Sequence, residues 1–322
     1  MDTKLRPKKL NQFIGKPNLI KSIKVAIEAC KKLNKSLDHC LFYGPAGVGK
    51  TTLALVIANE LKTKIKIIQS INLKNVSDLV SILSGIKEKE ILFIDEIHSL
   101  NRNIAEILYT VLEDNVLDIV IGKTYNTKVI RMKLPKITII GATTHLGELT
   151  KALEDRFNYT FFIDTYNYDE LKLIVKQSVK EYNFKLEESD IDIIIQNSRG
   201  IPRIANKIIN QINNHIVTTD NIDIVRIVRE SGYLINGLTV VDLKYLKYLY
   251  DAPARTAGLK SISQAINLDE KTILEKIESY LIKAQYLFKS SKGRTLSTKG
   301  INLVSRNKNL FENDLGFNFS KF

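Results

Sequence analysis

The sequence predicts an α/β domain on a parallel sheet, followed by a small helical bundle and a C-terminal winged-helix module. Three observations carry this expectation. Over the first half, the apolar runs HCLFYG (39–44), IKIIQS (65–70), ILFID (91–95), KITIIGATT (136–144) and YTFFID (159–164) alternate with amphipathic stretches such as TTLALVIANEL (51–61) and NIAEILYTVLED (103–114). Strands and helices alternating at this spacing give a parallel sheet covered by helices on both faces. From about Tyr166 the strand runs stop, and YDELKLIVKQSVKEYNF, ESDIDIIIQNSRG, IPRIANKIINQINNHIV and IDIVRIVRES place apolar residues three and four apart, the helical period. Near the end, two helical patterns are followed by YLFKSSKGRTLST, short β-arms around a Lys-Gly-Arg turn, and then by a last short helix.

Each element has its own local reason. LDIVIGKTYNTKVIRMKL (117–134) breaks the strand–helix alternation with two β-rich arms around a polar Gly/Asn centre, the signature of a protruding hairpin. GYLINGL (232–238) marks a second boundary. VVDLKYLKYLYDA and GLKSISQAINL are helical, and Asp269 is the expected N-cap of DEKTILEKIESYLIKAQYL. The chain thus divides into a large domain over 1–165, a helical domain over 166–237, and a winged-helix domain with a short tail over 238–322. The tail, RNKNLFENDLGFNFSKF, carries no clear pattern.

Bulk properties bound the function. At 322 residues the chain is long enough for two or three domains, and no apolar run approaches the roughly 18 residues of a membrane span. The opening MDTKLRPKKLNQF lacks the apolar core of a signal peptide. The two cysteines, Cys30 and Cys40, form no CxxC pair and are expected as buried thiols. A cytoplasmic location and no membrane partner follow as expectations. The net charge of +13 favours a polyanion such as nucleic acid, although a Lys-rich solvated surface would give the same figure. Beyond residue 240 the local excess is about six positive charges.

The chemistry is concentrated in five places. Gly44-Pro45-Ala46-Gly47-Val48-Gly49-Lys50-Thr51 fits GxxxxGK followed by Ser or Thr, between a strand and a strong helix. Its glycines, Gly47 and Gly49 among them, let backbone N–H groups wrap phosphate oxygens, and the helix adds the positive end of its dipole. Lys50 is placed for the β and γ phosphates of ATP, and Thr51 for Mg²⁺. The strand ILFID ends in Asp95 and Glu96. Asp95 is expected to hold Mg²⁺ through water, and Glu96 to polarise the water attacking the γ-phosphate. Paired acids also cap helices, so it is their order after the phosphate loop that selects the catalytic reading. The neighbouring His98 is expected as a satisfied structural histidine rather than a tuner of Glu96.

Thr143 and Thr144 close a later strand, where either hydroxyl could sense the γ-phosphate. Arg156, in LEDRF, could enter a neighbouring subunit's site and stabilise charge on the γ-phosphate, or simply pair with Asp155 or Glu154 on a helix surface. Gly200-Ile201-Pro202-Arg203 opens a helix with Pro in its first turn, aiming Arg203 at the phosphates. This order of elements matches the AAA+ class of ATPases.

The chain resembles the RuvB family of bacterial Holliday junction branch migration ATPases. The likeness rests on LRPKKLNQFIGKPNLIKSIKVAIEAC, LDHCLFYGPAGVGKTTLA, ILFIDEIHSLNRNIAEILYTVLED, LDIVIGKTYNTKVIRMKL, IIGATT, LEDRF and GIPRIANKIIN, and runs from about Leu5 to Thr298. It implies that Leu5 and Arg6 flank the adenine pocket and that Gly47, Lys50, Thr51 and Thr52 bind phosphate. Glu113, Asp114 and Asn115 match a nucleotide-contacting triplet, with Asn115 in place of an aromatic. Arg156, Tyr166 and Arg203 match the arginine finger, a base-side tyrosine and sensor 2. The hairpin 117–134 matches the arm that docks on RuvA. Lys289 and Arg294 match the wing positions on DNA phosphates, and Lys292 lies in the turn between them. Lys289 replaces a usual Arg, Ser99 stands where Arg is usual, and Ala46 and Val48 alter the loop spelling without altering its mechanics.

The implied function is an ATP-driven motor that works as a homo-hexameric ring on double-stranded DNA and, with RuvA, drives branch migration of Holliday junctions in recombination and repair. RuvC is a further partner the resemblance brings in. Two other readings share some motifs. A clamp-loader or replication-initiator ATPase would lack this hairpin together with a C-terminal winged helix. A DNA-binding regulator switched by ATP would not need Glu96 and Arg156.

Overall fold

The computed structural model describes residues 3–121, 128–218 and 222–307. Five strands, β1 (Cys40–Tyr43), β2 (Ile65–Gln69), β3 (Ile91–Asp95), β6 (Thr138–Thr143) and β7 (Tyr159–Phe162), form one parallel sheet in the order β2-β3-β6-β1-β7. All five coincide with the apolar runs of the sequence. The central strands are covered on both faces: β6 is buried along its whole length and β3 up to Asp95. That is why they read as uninterrupted apolar runs. Of the edge strands, β7 alternates between half-buried and exposed residues, and β2 has no fully buried residue.

The helices packed around this sheet follow from spacing and caps. Helix α1 (Pro17–Leu33) starts with Pro, stops at Asn34 in the left-handed conformation, and buries Leu19, Ile23, Ala26, Ile27 and Cys30 on one stripe. Helix α2 (Lys50–Leu61) begins directly after Gly49, and α3 (Val76–Ser84) buries Leu79 and Leu83. Helix α4 (Arg102–Asp114) is capped by Asn101, whose side chain accepts from the Ile104 N–H at 3.0 Å. After it, β4 (Val116–Ile121) and β5 (Lys128–Lys133) pair antiparallel with Leu117 opposite Met132. These are the arms of the expected hairpin; its centre, 122–127, lies outside the described residues. The short α5 (Lys151–Glu154) and α6 (Tyr168–Glu181) follow, the latter opened by an Asn167/Glu170 capping box. Cys30 and Cys40 are both buried free thiols.

By its contacts the chain forms two compact units, one of residues 1–183 with 200–206, the other of 184–199 with 207–322. The second holds α7 (Glu188–Asn197), the later turns of α8 (Pro202–Thr218) and α9 (Ile224–Glu230), whereas α6, expected in the same bundle, falls in the first unit. Helix α10 (Val240–Asp251), opened by a Thr239/Asp242 capping box, and α11 (Leu259–Ile266) follow. Asp269 caps the next helix by accepting from the Thr272 N–H, as expected. That helix runs from Glu270–Thr272 through a π-helical stretch, Ile273–Glu278, into Ser279–Lys283. Strands β9 (Leu287–Ser290) and β10 (Gly293–Leu296) make the wing, and β8 (Thr256–Ala257) adds a third antiparallel strand that two residues of sequence could not announce. The final helix, Thr298–Arg306, closes a core that includes Leu243, Leu246, Ile262, Ile277 and Leu281. No helix among the described residues is long and apolar enough to cross a membrane.

Buried polar groups in this unit are paired. The carboxylate of Asp242, 1% exposed, meets the Arg199 guanidinium, whose Nε also donates to the Gly237 carbonyl at 2.7 Å and whose plane lies over the Tyr280 ring. Arg199 therefore ties the end of α7 to the start of α10 within the unit.

Candidate functional site

The turn 44–51 wraps around its own lysine. Lys50 is buried at 6% exposure, and its Nζ donates to the carbonyls of Gly44 at 2.7 Å and Pro45 at 3.0 Å. Burial lowers its pKa, while the charges of Glu96 and Asp95 oppose that drop. Asp95, Glu96 and Arg203 thus all act on one ammonium. Gly47 must be glycine: its φ is +84°, and a Cβ would stand 2.8 Å from the Arg203 Cβ. The Arg203 N–H donates to the Gly47 carbonyl at 3.3 Å, so Arg203 is anchored to the loop by backbone as well as aimed at it by side chain. Tyr166 joins the same loop, with its OH donating to the Val48 carbonyl at 3.1 Å and its N–H to the Gly200 carbonyl at 2.8 Å. Thr51 and Thr52 occupy the first turn of α2. Leu5 ends a short helix, Thr3–Leu5, that lies against α6, and Arg6 follows it half-buried.

Beyond the lysine, adjacent strands assemble the acids. Burial and the charge of Glu96 raise the Asp95 pKa. Glu96 itself has φ +50° and ψ +50°, a left-handed conformation costing a residue with a Cβ on the order of 1–2 kcal/mol. The Ser70 hydroxyl, from the end of β2, donates to the Glu96 carbonyl and holds it there. The two threonines divide the work. Thr144 grips the Glu96 Oε2 twice, through its N–H at 3.0 Å and its hydroxyl at 2.9 Å. Thr143 is fully buried, 2.8 Å from His98 Nδ1, and accepts from the His145 N–H. His98 lies 3.4 Å from Glu96 as well, so it is both satisfied and in contact with the acid. Ser70 and His145 escaped the sequence reading because neither stands in a motif.

A second cluster surrounds Arg156. Its Nη2 lies 3.2 Å from Glu113, its Nη1 donates to the Ala152 carbonyl, and its guanidinium sits 4.7 Å over the Tyr109 ring. The Arg156 Nε is buried without a partner among the described residues, an arrangement that costs stability until an acceptor arrives. Its partner is thus Glu113, not Asp155 or Glu154. Asp114 ends α4, and Asn115 caps it in the left-handed conformation.

In the winged-helix module, Arg294 and Lys289 face each other across β9 and β10, and both grip Glu278, which is 0% exposed. Tyr245 donates to the same carboxylate at 2.9 Å. Burial alone would raise the Glu278 pKa; the hydrogen bonds from Arg294, Lys289 and Tyr245 outweigh it and hold the carboxyl below its ordinary 4.5. Lys292, in the turn, is exposed. A depressed carboxyl stabilises the fold above its unfolded value and loses that contribution as pH falls through the folded one. Melting of the second unit is therefore expected to weaken steeply below about pH 4.5, and Glu278→Gln should flatten that acid limb. An unchanged limb in the variant would refute the pairing.

The comparisons with known proteins agree with this layout. Models described as the Holliday junction DNA helicase RuvB P-loop domain, the RuvB AAA lid domain and the RuvB C-terminal winged helix domain match residues 5–163, 166–232 and 235–305. The Holliday junction branch migration complex subunit RuvB of Mycoplasmopsis synoviae is 41% identical over 309 residues, covering 94% of this chain and 98% of the relative. That of Ureaplasma parvum serovar 3 is 41% identical over 304 residues, covering 94% and 97%. Among solved structures, the Thermotoga maritima RuvB Holliday junction branch migration motor matches with a TM-score of 0.79 at 32% identity, covering 94% of this chain and 99% of that one. The chain belongs to the RuvB family, P-loop AAA+ ATPases with an AAA lid and a C-terminal winged helix.

Proposed function

We propose that this chain is an ATP-hydrolysing DNA motor that, as a hexameric ring on duplex DNA and with RuvA, drives branch migration of Holliday junctions. The observation that carries the reading is the pairing of an assembled phosphate loop, acid and threonine relay with an Arg156 whose Nε still lacks an acceptor. A charged donor left incomplete in one protomer suits delivery to a neighbour's γ-phosphate, which requires a ring. The divisions 1–165, 166–237 and 238–322 would then be ATPase domain, lid and DNA grip.

In this mechanism Lys50 exchanges its two carbonyl partners for phosphate oxygens. Arg203, fixed to Gly47, contacts them from the start of α8. Glu96 leaves Thr144 and takes the proton of the attacking water on Oε2, with Thr144 registering the γ-phosphate. Thr51 and Asp95 offer the hard oxygen donors that Mg²⁺ prefers, and Asp95, destabilised as an anion by burial and by Glu96, gains from a cation. They fit the ion, which supplies charge neutralisation on the phosphates when bound. Leu5, Arg6 and Tyr166 are assigned to the nucleoside side, and Glu113, Asp114 and Asn115 to the protomer boundary. The hairpin arms β4 and β5 are assigned to RuvA. Lys289, Lys292 and Arg294 would contact DNA phosphates, so binding should be sequence-tolerant and fall with salt. RuvC is assigned to the same assembly, and the cytoplasm is its place.

The test is ATP- and Mg²⁺-dependent dissociation of a synthetic four-way junction. Dissociation stimulated by RuvA and lost in Arg156→Ala is expected, with mixtures of Arg156→Ala and Lys50→Ala chains regaining part of the phosphate release. Activity on linear duplex but never on junctions would overturn the reading in favour of a clamp-loader or initiator.

A further inference from the structure

Two histidines and a glutamate converge beside the sensor threonines. One nitrogen of His98, one of His145 and one carboxylate oxygen of Glu148 lie within 4.8 Å of one another. His98 comes from the short helix Ile97–Ser99 that follows β3; His145 and Glu148 flank the helical turn Leu146–Glu148 that follows β6. A turn of three residues sets positions three apart on one side, which brings His145 and Glu148 together. His98 Nε2 is already 3.7 Å from the Glu148 Oε2, and the two imidazoles meet edge to face with centroids 5.1 Å apart.

Hydrogen-bond counting favours one tautomer for each ring. Thr144 has one hydroxyl proton, and Glu96, as a carboxylate, can only accept; that proton is therefore on the 2.9 Å bond to Glu96. The 2.9 Å contact between Thr144 Oγ1 and His145 Nδ1 then needs its proton from the ring. This pattern favours the Nδ1-protonated form of His145, which leaves Nε2 as its ligand nitrogen. His98 Nδ1 faces the Thr143 hydroxyl at 2.8 Å and the Glu96 carboxylate at 3.4 Å, which favours the same tautomer. Ring orientation by the second nitrogen is the arrangement found behind metal-ligating histidines.

We propose that His98, His145 and Glu148 bind one divalent transition-metal cation of the Zn²⁺ class, through both Nε2 atoms and the Glu148 carboxylate. Two imidazoles and one carboxylate are a zinc donor set with one position left open, and imidazole selects against Mg²⁺. Ligand atoms around tetrahedral zinc lie roughly 3.4 Å apart, so the site has to contract by about an ångström. The His98–Glu148 edge is already close to that spacing, at 3.7 Å, and Glu148, with its side chain 55% exposed, can adjust. A bound cation would hold the His145 Nδ1–H on Thr144 and hence the Thr144 hydroxyl on Glu96, slowing hydrolysis. This regulatory part rests on the proposed ATPase mechanism; the binding itself does not.

Titrating Co²⁺ into the nucleotide-free full chain in excess Mg²⁺, followed by visible d–d absorption, tests the site. One equivalent should give tetrahedral bands that His145→Ala abolishes, that Glu148→Gln shifts to at least tenfold higher Co²⁺, and that His215→Ala leaves unchanged. Absent bands, or bands that persist in His145→Ala, overturn the proposal. With Mg²⁺ and ATP present, Zn²⁺ should slow phosphate release by the native chain and not by His145→Ala; equal slowing of both removes the regulatory link. Cobalt bands from a chain that never releases phosphate would keep the site and sink the ATPase mechanism.

Discussion

Glu96→Gln is expected to cut ATP-dependent phosphate release by at least about a hundredfold, the usual weight of a positioned proton acceptor, while nucleotide binding is retained. Glutamine keeps the length of the side chain and still accepts from Thr144 through its amide oxygen, so the strained turn at Glu96 and the Ser70 bond that holds it survive. What disappears is the negative oxygen able to take a proton from water. Lys50 and Arg203, which contact the phosphate loop independently, should keep ATP in place. Phosphate release and fluorescent-nucleotide binding on the same preparation separate the two effects. Turnover near the native rate would remove Glu96 from the mechanism.

The second large effect is on stability. Arg199→Ala leaves the Asp242 carboxylate, 1% exposed, without its cation. Stranding a buried charge costs about 3–5 kcal/mol, here with the loss of the Gly237 and Tyr280 contacts as well. The melting transition of the second unit should fall by roughly 10 °C or more. The double change Arg199→Met with Asp242→Leu should recover only part of that loss: it removes the stranded charge but also takes from Thr239 the carboxylate of its capping box. If the single variant melts like the native chain, the ion pair is not closed in solution.

Much of this was legible because the signals are local. A strand buried on both faces, such as β3 or β6, reads as an apolar run, and the phosphate loop is eight contiguous residues between a strand and a helix. The contacts that tune the site are not local. Thr144 lies 48 residues from Glu96, and the two meet because β3 and β6 are neighbours in the sheet, an order no periodicity announces. Ser70 reaches Glu96 for the same reason, through β2 against β3. Glu278 was hidden differently. In an ordinary helix the apolar stripe 273, 277, 281 would leave the next residue toward its flank, but the π-helical stretch widens the turn and Glu278 is buried along with Ile273 and Ile277. Arg199 looked like an unremarkable cation ahead of Gly200, since nothing in its vicinity hints at Asp242. The assignment of Thr143 and Thr144 had been open from sequence alone; the geometry places Thr144 on the acid and Thr143 on His98.

Four peptide bonds separate two committed arginines. Arg203 is pinned to Gly47 and Arg199 to Gly237, each by its own hydrogen bonds. Between them, Pro202 locks its own φ and confines Ile201 to extended torsions. Gly200 has a φ of +71°, which favours glycine, and a Cβ there would press to 2.8 Å from the Tyr166 carbonyl. A side chain at position 200 would therefore strain the tether from within while leaving both guanidinium groups untouched.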